Sequence, residues 1–319
     1  MEVSLNNFYE AIGTVKQNVH GYIERRMKSQ DLEFQLLKIV HEIREDHPEM
    51  GLRTIYFMIQ PRGLGRDAFE DLCSRAGLKV EVKKNYVRTT DSSKTMFSPN
   101  FIENMLINRP NQVWQSDITY YELMDRFYYI TLIQDAFTKV IVGYNASADL
   151  STESTTLPAL QMAIRQRKLI KLSTLIFHSD GGGQFYDKNF KNLSQDHNIT
   201  GSMGKSCYEN AMAERLNGVI KNMYLRHRDI RSLKQLNTEL DRTVALYNTK
   251  KPHTMLQRMT PVQFEENYLH YSTQTKAKVT ESFDAAIQIN GACCPIYLPQ
   301  TKAQDLDVIS AAIMTTSTT

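Results

Sequence analysis

Val113-Trp114-Gln115-Ser116-Asp117-Ile118-Thr119-Tyr120-Tyr121 reads as a β-strand with a carboxylate in its middle. Two further runs, 127–135 and 139–146, have the same β-branched and aromatic character and read as its neighbours. A strand so flanked lies inside a sheet, where an unpaired carboxylate is costly. Asp117 therefore stands apart from the other acids among the 35 in the chain.

Two more acids share that standing. Asp180 closes the strand-like run Thr174-Leu175-Ile176-Phe177-His178-Ser179, just before Gly181-Gly182-Gly183. Glu214 sits in the helical stretch Asn210-Ala211-Met212-Ala213-Glu214-Arg215-Leu216-Asn217. Carboxylates crowded together without a cation repel one another. Two strand-end acids and one from a later helix can instead converge on divalent ions. With only hard oxygen donors, and no His or Cys partner, the ions expected are Mg²⁺ or Mn²⁺, as a pair. Such a pair supports in-line displacement at phosphorus.

The helix around Glu214 is expected to run from Glu209 to Arg226. Ala213, Leu216, Ile220 and Met223 make an apolar stripe, and Asn210, Glu214, Asn217 and Lys221 an adjoining polar one. A metal-binding acid beside a cation suits a phosphate-bearing substrate, so Asn210 and Lys221 are candidate DNA contacts. The triple glycine reads either as a close approach to a DNA strand or as a plain turn. Gly204-Lys205-Ser206 imitates the end of a phosphate-binding loop. That motif needs glycine where Ile199 stands, so no ATP site follows, and Lys205 is a candidate DNA contact.

Further predicted elements are a helix over 153–167, a strand over 175–178, a helix over 187–197, a short strand near Ile199 and a helix over 233–247. Three strands followed by alternating strands and helices is the order of a ribonuclease-H-like α/β fold. The front of the chain is helical instead. Leu32, Leu36, Ile39, Val40 and Ile43 recur at helical spacing, with Asp31 as N-cap. A smaller helix, Gly13 turn and helix with Thr14 as N-cap precede it. Leu52, Ile55, Tyr56 and Ile59 give another helix, the turn Pro61-Arg62-Gly63-Leu64-Gly65 follows, and a third helix starts near Arg66. This helix-turn-helix outline makes Arg62, Arg66 and Arg75 candidate DNA contacts.

Arg109-Pro110-Asn111-Gln112-Val113-Trp114-Gln115-Ser116-Asp117 resembles the first-acid block of OrfB-type insertion-sequence transposases with a retroviral-integrase-like core. His178-Ser179-Asp180-Gly181-Gly182-Gly183-Gln184-Phe185 is similar to their second block. Glu209-Asn210-Ala211-Met212-Ala213-Glu214 is similar to the third, although the family usually has Asp at the position of Glu209. Tyr247-Asn248-Thr249-Lys250-Lys251-Pro252-His253 and Thr260-Pro261-Val262-Gln263-Phe264 resemble the closing segment, which often has Arg where Lys251 stands. The resemblance spans roughly residues 30–270. It implies an integrase core with a mixed five-stranded sheet flanked by helices, preceded by an all-α helix-turn-helix region. It also implies a DNA transposase with Asp117, Asp180 and Glu214 as catalytic and metal-binding acids. Element ends and target DNA, a homo-oligomer on DNA and an OrfA partner or fusion are the implied partners. The expected domains are 1–95, a linker at 96–108, a catalytic core at 109–270 and a tail at 271–319 with a hairpin over 285–297.

Composition agrees with this reading. Net charge is +3, yet residues 205–258 hold 11 basic and 5 acidic side chains, a surplus around the third acid that suits a polyanion. Cys73, Cys207, Cys293 and Cys294 form no C-x-x-C pair, so reduced thiols and a cytoplasmic location are expected, without a zinc module. No apolar run is long enough to span a membrane. Two alternatives share part of this pattern. A ribonuclease-H-type nuclease has the fold and metals without the integrase-like blocks. A transposase-derived DNA-binding regulator has no need for clustered acids.

Overall fold

A computed structural model describes Tyr9, Ala11 and residues 13–80, 98–168, 175–204 and 210–271. Lys205, Glu209, Cys207 and the hairpin read at 285–297 lie outside these described residues. The chain divides into two compact units, Met1–Asn267 and Tyr268–Thr319. The first unit holds Asp117, Asp180 and Glu214.

A five-stranded mixed sheet forms the centre of that unit, with strand order β3-β2-β1-β4-β5. β1 (Val113–Leu123), β2 (Arg126–Asp135) and β3 (Ile141–Ser147) are an antiparallel meander. β4 (Leu175–Ser179) and β5 (Ile199–Met203) add on parallel to β1. Met124 and Asp125, both at positive φ, make the two-residue β1–β2 turn. This is the ribonuclease-H-like integrase architecture expected from the sequence.

Each face of the sheet carries its own core. Trp114, Val142, Leu175, Phe177 and Ile199 pack against Ala159, Leu160 and Ala163 of α4 (Thr156–Arg167) and Phe190 of α5 (Lys188–Asp196). Gly143 is the closest point of that packing, since a Cβ there would lie 2.2 Å from the Ala159 carbonyl. Ile130, Leu132 and Ile141 pack on the other face against Leu216, Ile220, Leu236 and Leu240. These come from α6 (Ala211–Gly218), the turns that continue it, and α7 (Leu233–Thr249). Residues 98–101, expected to be linker, lie along β5. Ser98 Oγ donates to the Gly201 carbonyl at 2.8 Å, and the Phe101 amide donates to Ser202 Oγ at 2.9 Å. They occupy groups that an edge strand would otherwise leave open.

In front lie α1 (Lys16–Asp46), α2 (Leu52–Ile59) and α3 (Arg66–Arg75), closed around Val40, Met50, Leu52, Ile55, Phe69 and Cys73. The helix expected to start at Asp31 is continuous back to Lys16, with Val15 and not Thr14 at its N-cap. Residues 16–30 are rich in good helix formers, and an exposed mid-helix Asp31 has no reason to cap anything. Of the expected stripe, Leu36 and Val40 are buried, whereas Leu32 and Ile39 remain over a third exposed.

Candidate active site

Pairing register sets the first two acids side by side. β1 and β4 run parallel and pair as far as Ser116 with Ser179, and Asp117 and Asp180 are the next residue of each. Trp114 and Phe177 point to the α4 core. By strand alternation, Asp117 and Asp180 leave the sheet on the opposite face, the one covered by α6. That spot, at the carboxyl ends of parallel strands, is where open α/β sheets bind ligands.

α6 brings the third acid to the same face. Asn217 Nδ2 donates to Asp117 Oδ2 at 2.9 Å. Lys221 Nζ donates to Thr119 Oγ1 at 3.0 Å and to the Tyr120 carbonyl at 3.2 Å. Asn210 Nδ2 donates to the Ser116 carbonyl at 3.1 Å. The polar stripe read from the sequence thus lies along β1, and Glu214 belongs to that stripe. Asn210 and Lys221, read as DNA contacts, tie the helix to β1. Asn210 is 1 % exposed, which removes it from any DNA surface.

Electrostatics join the three acids. Burial raises the Asp117 carboxyl to about 7, the Asp180 charge adds to the rise and Glu214 contributes further, while the Ile118 amide and Asn217 oppose it. Among the described residues, no three acidic, His or Cys groups already stand at metal-ligand separation. Asp135 illustrates the structural alternative in the same sheet. It is fully buried and accepts from the amides of Asn111 at 2.6 Å, Phe137 at 2.9 Å and Thr138 at 3.0 Å. Among the described residues, Asp117 is held by the Ile118 amide and Asn217 alone, and the charges of Asp180 and Glu214 act on it as well.

Gly182 decides the reading of the triple glycine. Its amide donates to Asp180 Oδ1 at 3.1 Å, and a Cβ there would stand 3.1 Å from the same oxygen. The turn shapes the carboxylate itself. Below it, His178 is fully buried, with Nδ1 3.0 Å from Ser202 Oγ.

Beyond Gly218 the acid-bearing helix changes pitch. Val219–Tyr224 is a π-helical turn and Leu225–His227 a 3₁₀ turn, in place of one continuous helix. The wider turn moves the apolar stripe by one residue, so Tyr224 and not Met223 is buried. Tyr224 meets the front helices there, its hydroxyl 2.8 Å from His47 Nδ1. Around this pair, His227 reaches Glu49 at 2.8 Å, Arg242 reaches Asp46 at 2.8 Å, and Arg258 stacks 3.3 Å over Phe57. The front helices are therefore docked on the segment that continues α6.

The front arginines have partners of their own. Arg66 pairs with Asp67 at 2.7 Å and Glu70 at 3.8 Å, and Arg75 with Asp71 at 3.1 Å. Arg62 is exposed in the turn between α2 and α3. Behind α6, Lys139 and Lys251 are lowered by burial and by the positive charge of Arg215, Lys251 to about 8. Lys251 belongs to the basic surplus seen in the sequence, and Lys139 adds to it from outside that stretch. Sequence reasoning missed the holding role of Asn217, although its place three residues after Glu214 in the polar stripe was the available signal.

Comparison with known proteins agrees with this architecture. Residues 107–207 match the integrase core domain family, and a second integrase core domain family matches 197–261. The chain is 28% identical over 257 residues to an uncharacterized 31 kDa protein of insertion element IS600 of Shigella sonnei, covering 78% of this chain and 92% of that one. It is 27% identical over 259 residues to the transposase for insertion sequence element IS629 of the same organism, covering 79% and 86%. Among solved structures, the HTLV-2 integrase catalytic core domain in complex with magnesium is similar at 22% identity and a TM-score of 0.40, covering 49% of this chain and 97% of that one. Among the described residues, no helix is long and apolar enough to cross a membrane.

Proposed function

We propose that this insertion-sequence transposase, which is built on an integrase-like core, uses Asp117, Asp180 and Glu214 as its catalytic acids. The observation that carries the reading is geometric: the β1–β4 register sets Asp117 and Asp180 side by side on the face that α6 covers, where burial first, and then the Asp180 and Glu214 charges, raise the Asp117 carboxyl. Perturbation of this kind, on the ligand-binding face of the sheet, marks a working site.

The all-oxygen donor set fits Mg²⁺ or Mn²⁺. Asp117 and Asp180 would share two ions, and Glu214 would complete the second position. When bound, such ions polarise phosphoryl oxygens and lower the pKa of attacking water. This chain's own residues supply the positioning. Asn217 fixes one oxygen of Asp117, the Gly182 amide fixes one of Asp180, and Lys221 holds β1 against α6.

At an element end, water oxygen attacks phosphorus and the P–O3′ bond breaks, freeing a 3′-hydroxyl. That hydroxyl then attacks a target-strand phosphorus and displaces the target's own 3′-oxygen. Both steps exchange one P–O bond for another, so no redox partner is required. Two ends react together, which calls for an oligomer on DNA, and OrfA is a further partner or fusion. Arg62 and Lys205 contact DNA directly, whereas Arg66 and Arg75 do so once DNA phosphate displaces their carboxylate partners.

The test is incubation of the full chain with candidate end DNA, Mg²⁺ and a target plasmid. Cut and joined products are expected, and both vanish in excess chelator. Undiminished cleavage in chelator would rule out this chemistry. Cutting without joining would favour a ribonuclease-H-type nuclease.

A further inference from the structure

The β1–β2 hairpin outruns the sheet. β4 pairs with β1 only to Ser116, whereas β1 continues to Leu123 alongside β2. Tyr120 pairs directly with Tyr129, and Phe127 lies one step along on the same face. Their rings form a contiguous cluster, Tyr120 to Tyr129 at 5.4 Å and Tyr120 to Phe127 at 6.3 Å, both edge-on. Nothing among the described residues covers it, and Tyr120 is 52 % and Phe127 56 % exposed. The two-residue turn closes the hairpin, and Lys221 grips Thr119 and the Tyr120 carbonyl from the turn that continues α6.

We propose that this aromatic face is a stacking platform for unpaired bases of the DNA strand next to the reacting phosphate, an assignment that rests on the acid site above. Three features favour a nucleic-acid occupant. First, the cluster is made of rings on a hairpin, the arrangement on which bases of any sequence stack. Second, Tyr120 is three residues from Asp117, about 10 Å along β1 at about 3.3 Å per strand residue, and on the other face of the sheet, so the DNA strand reaches the rings by passing around the edge of β1. That distance along β1 is the length of roughly three stacked nucleotides at about 3.4 Å each. Third, β1 has an open edge from Asp117 onward, because β4 has ended. A strand leaving the acids can pass that edge and reach the rings without crossing a packed helix. Holding frayed bases there keeps the end from re-pairing while its 3′-hydroxyl is used.

The experiment uses full-length protein and two short duplexes, one blunt and one with a three-nucleotide overhang carrying 2-aminopurine. The Asp117→Asn protein serves as background, so binding is read without reaction. The overhang duplex is expected to bind roughly five- to tenfold tighter than the blunt one, with its fluorescence quenched further on binding. Tyr120→Ala and Phe127→Ala lose both the preference and the quenching, whereas Tyr120→Phe keeps them. Unchanged quenching in both alanine variants overturns the platform. Conversion of a DNA-free oligomer to monomers by Tyr120→Ala also overturns it, because the rings would then be a contact between copies. Neither result bears on the acids, which fail only if Asp117→Asn still joins strands.

Discussion

α6 and α3 look alike in the sequence and behave differently in the fold. Each offers polar side chains at helical spacing toward an expected DNA surface. In α6 and its flanks the stripe of Asn210, Asn217 and Lys221 is bonded to β1. In α3 the arginines are bonded to acids of their own helix. A polar stripe thus reports which face of a helix is in use, not what occupies it. The acid site is built by contacts distant in sequence, whereas Arg66 and Arg75 are paired with acids one to four residues away.

The largest expected effect on this contrast comes from Asn217→Ala. Removing the amide that holds Asp117 should lower single-turnover joining by about 10- to 100-fold, the usual loss when a group supporting a metal-binding side chain is removed. DNA affinity should stay unchanged in the same samples. Equal loss of binding and joining would mean that Asn217 faces DNA and that α6 resembles α3 after all.

A second measurement addresses the junction between the two regions. Burial holds His47 down to about 4 and His253 to about 3, against an ordinary value of 6.5. As pH falls from about 6.5 toward 4, the unfolded chain takes up protons that the folded chain refuses, so these groups make stability fall. Asp117, held up to about 7, takes up its proton earlier in the folded state and offsets one of them. The urea midpoint should therefore drop modestly between pH 7 and pH 5. His47→Gln should flatten that dependence and Asp117→Asn should steepen it. An unchanged slope in His47→Gln would mean that the His47–Tyr224 contact is open in solution.

The smallest effect is expected at the front end. With Arg66 already paired, Arg66→Ala should weaken binding of an end duplex by less than about fivefold, in the range of an exposed ion pair. Mobility-shift titrations at several salt concentrations check this. A far larger loss confined to one terminal sequence would make Arg66 a base reader and restore the parallel with α6.

The sequence carried the core well because its signals are local. β-branched and aromatic runs placed the strands, and with them the positions of Asp117 and Asp180 at neighbouring points of β1 and β4. Asp187 caps α5 through the Asn189 amide, as that boundary implied. What remained hidden depends on distant contacts. The turn to π pitch after Gly218 accompanies the docking of Tyr224 against His47, 177 positions away. Residues 98–101 look like a tether because the β5 edge they occupy is about a hundred residues on. The i,i+4 pairing of Arg66 with Glu70 is, by contrast, a local contact whose spacing lies in the sequence, although Arg66 was read as a DNA contact.

Whether three acids from β1, β4 and α6 serve one reaction is decided by strand joining and DNA binding measured together for Asp117→Asn, Asp180→Asn and Glu214→Gln. All three should lose joined product in Mg²⁺ while keeping wild-type affinity for DNA, and Glu209→Gln should remain active. Near-wild-type joining by Glu214→Gln, with Glu209→Gln inactive, would contradict the assignment.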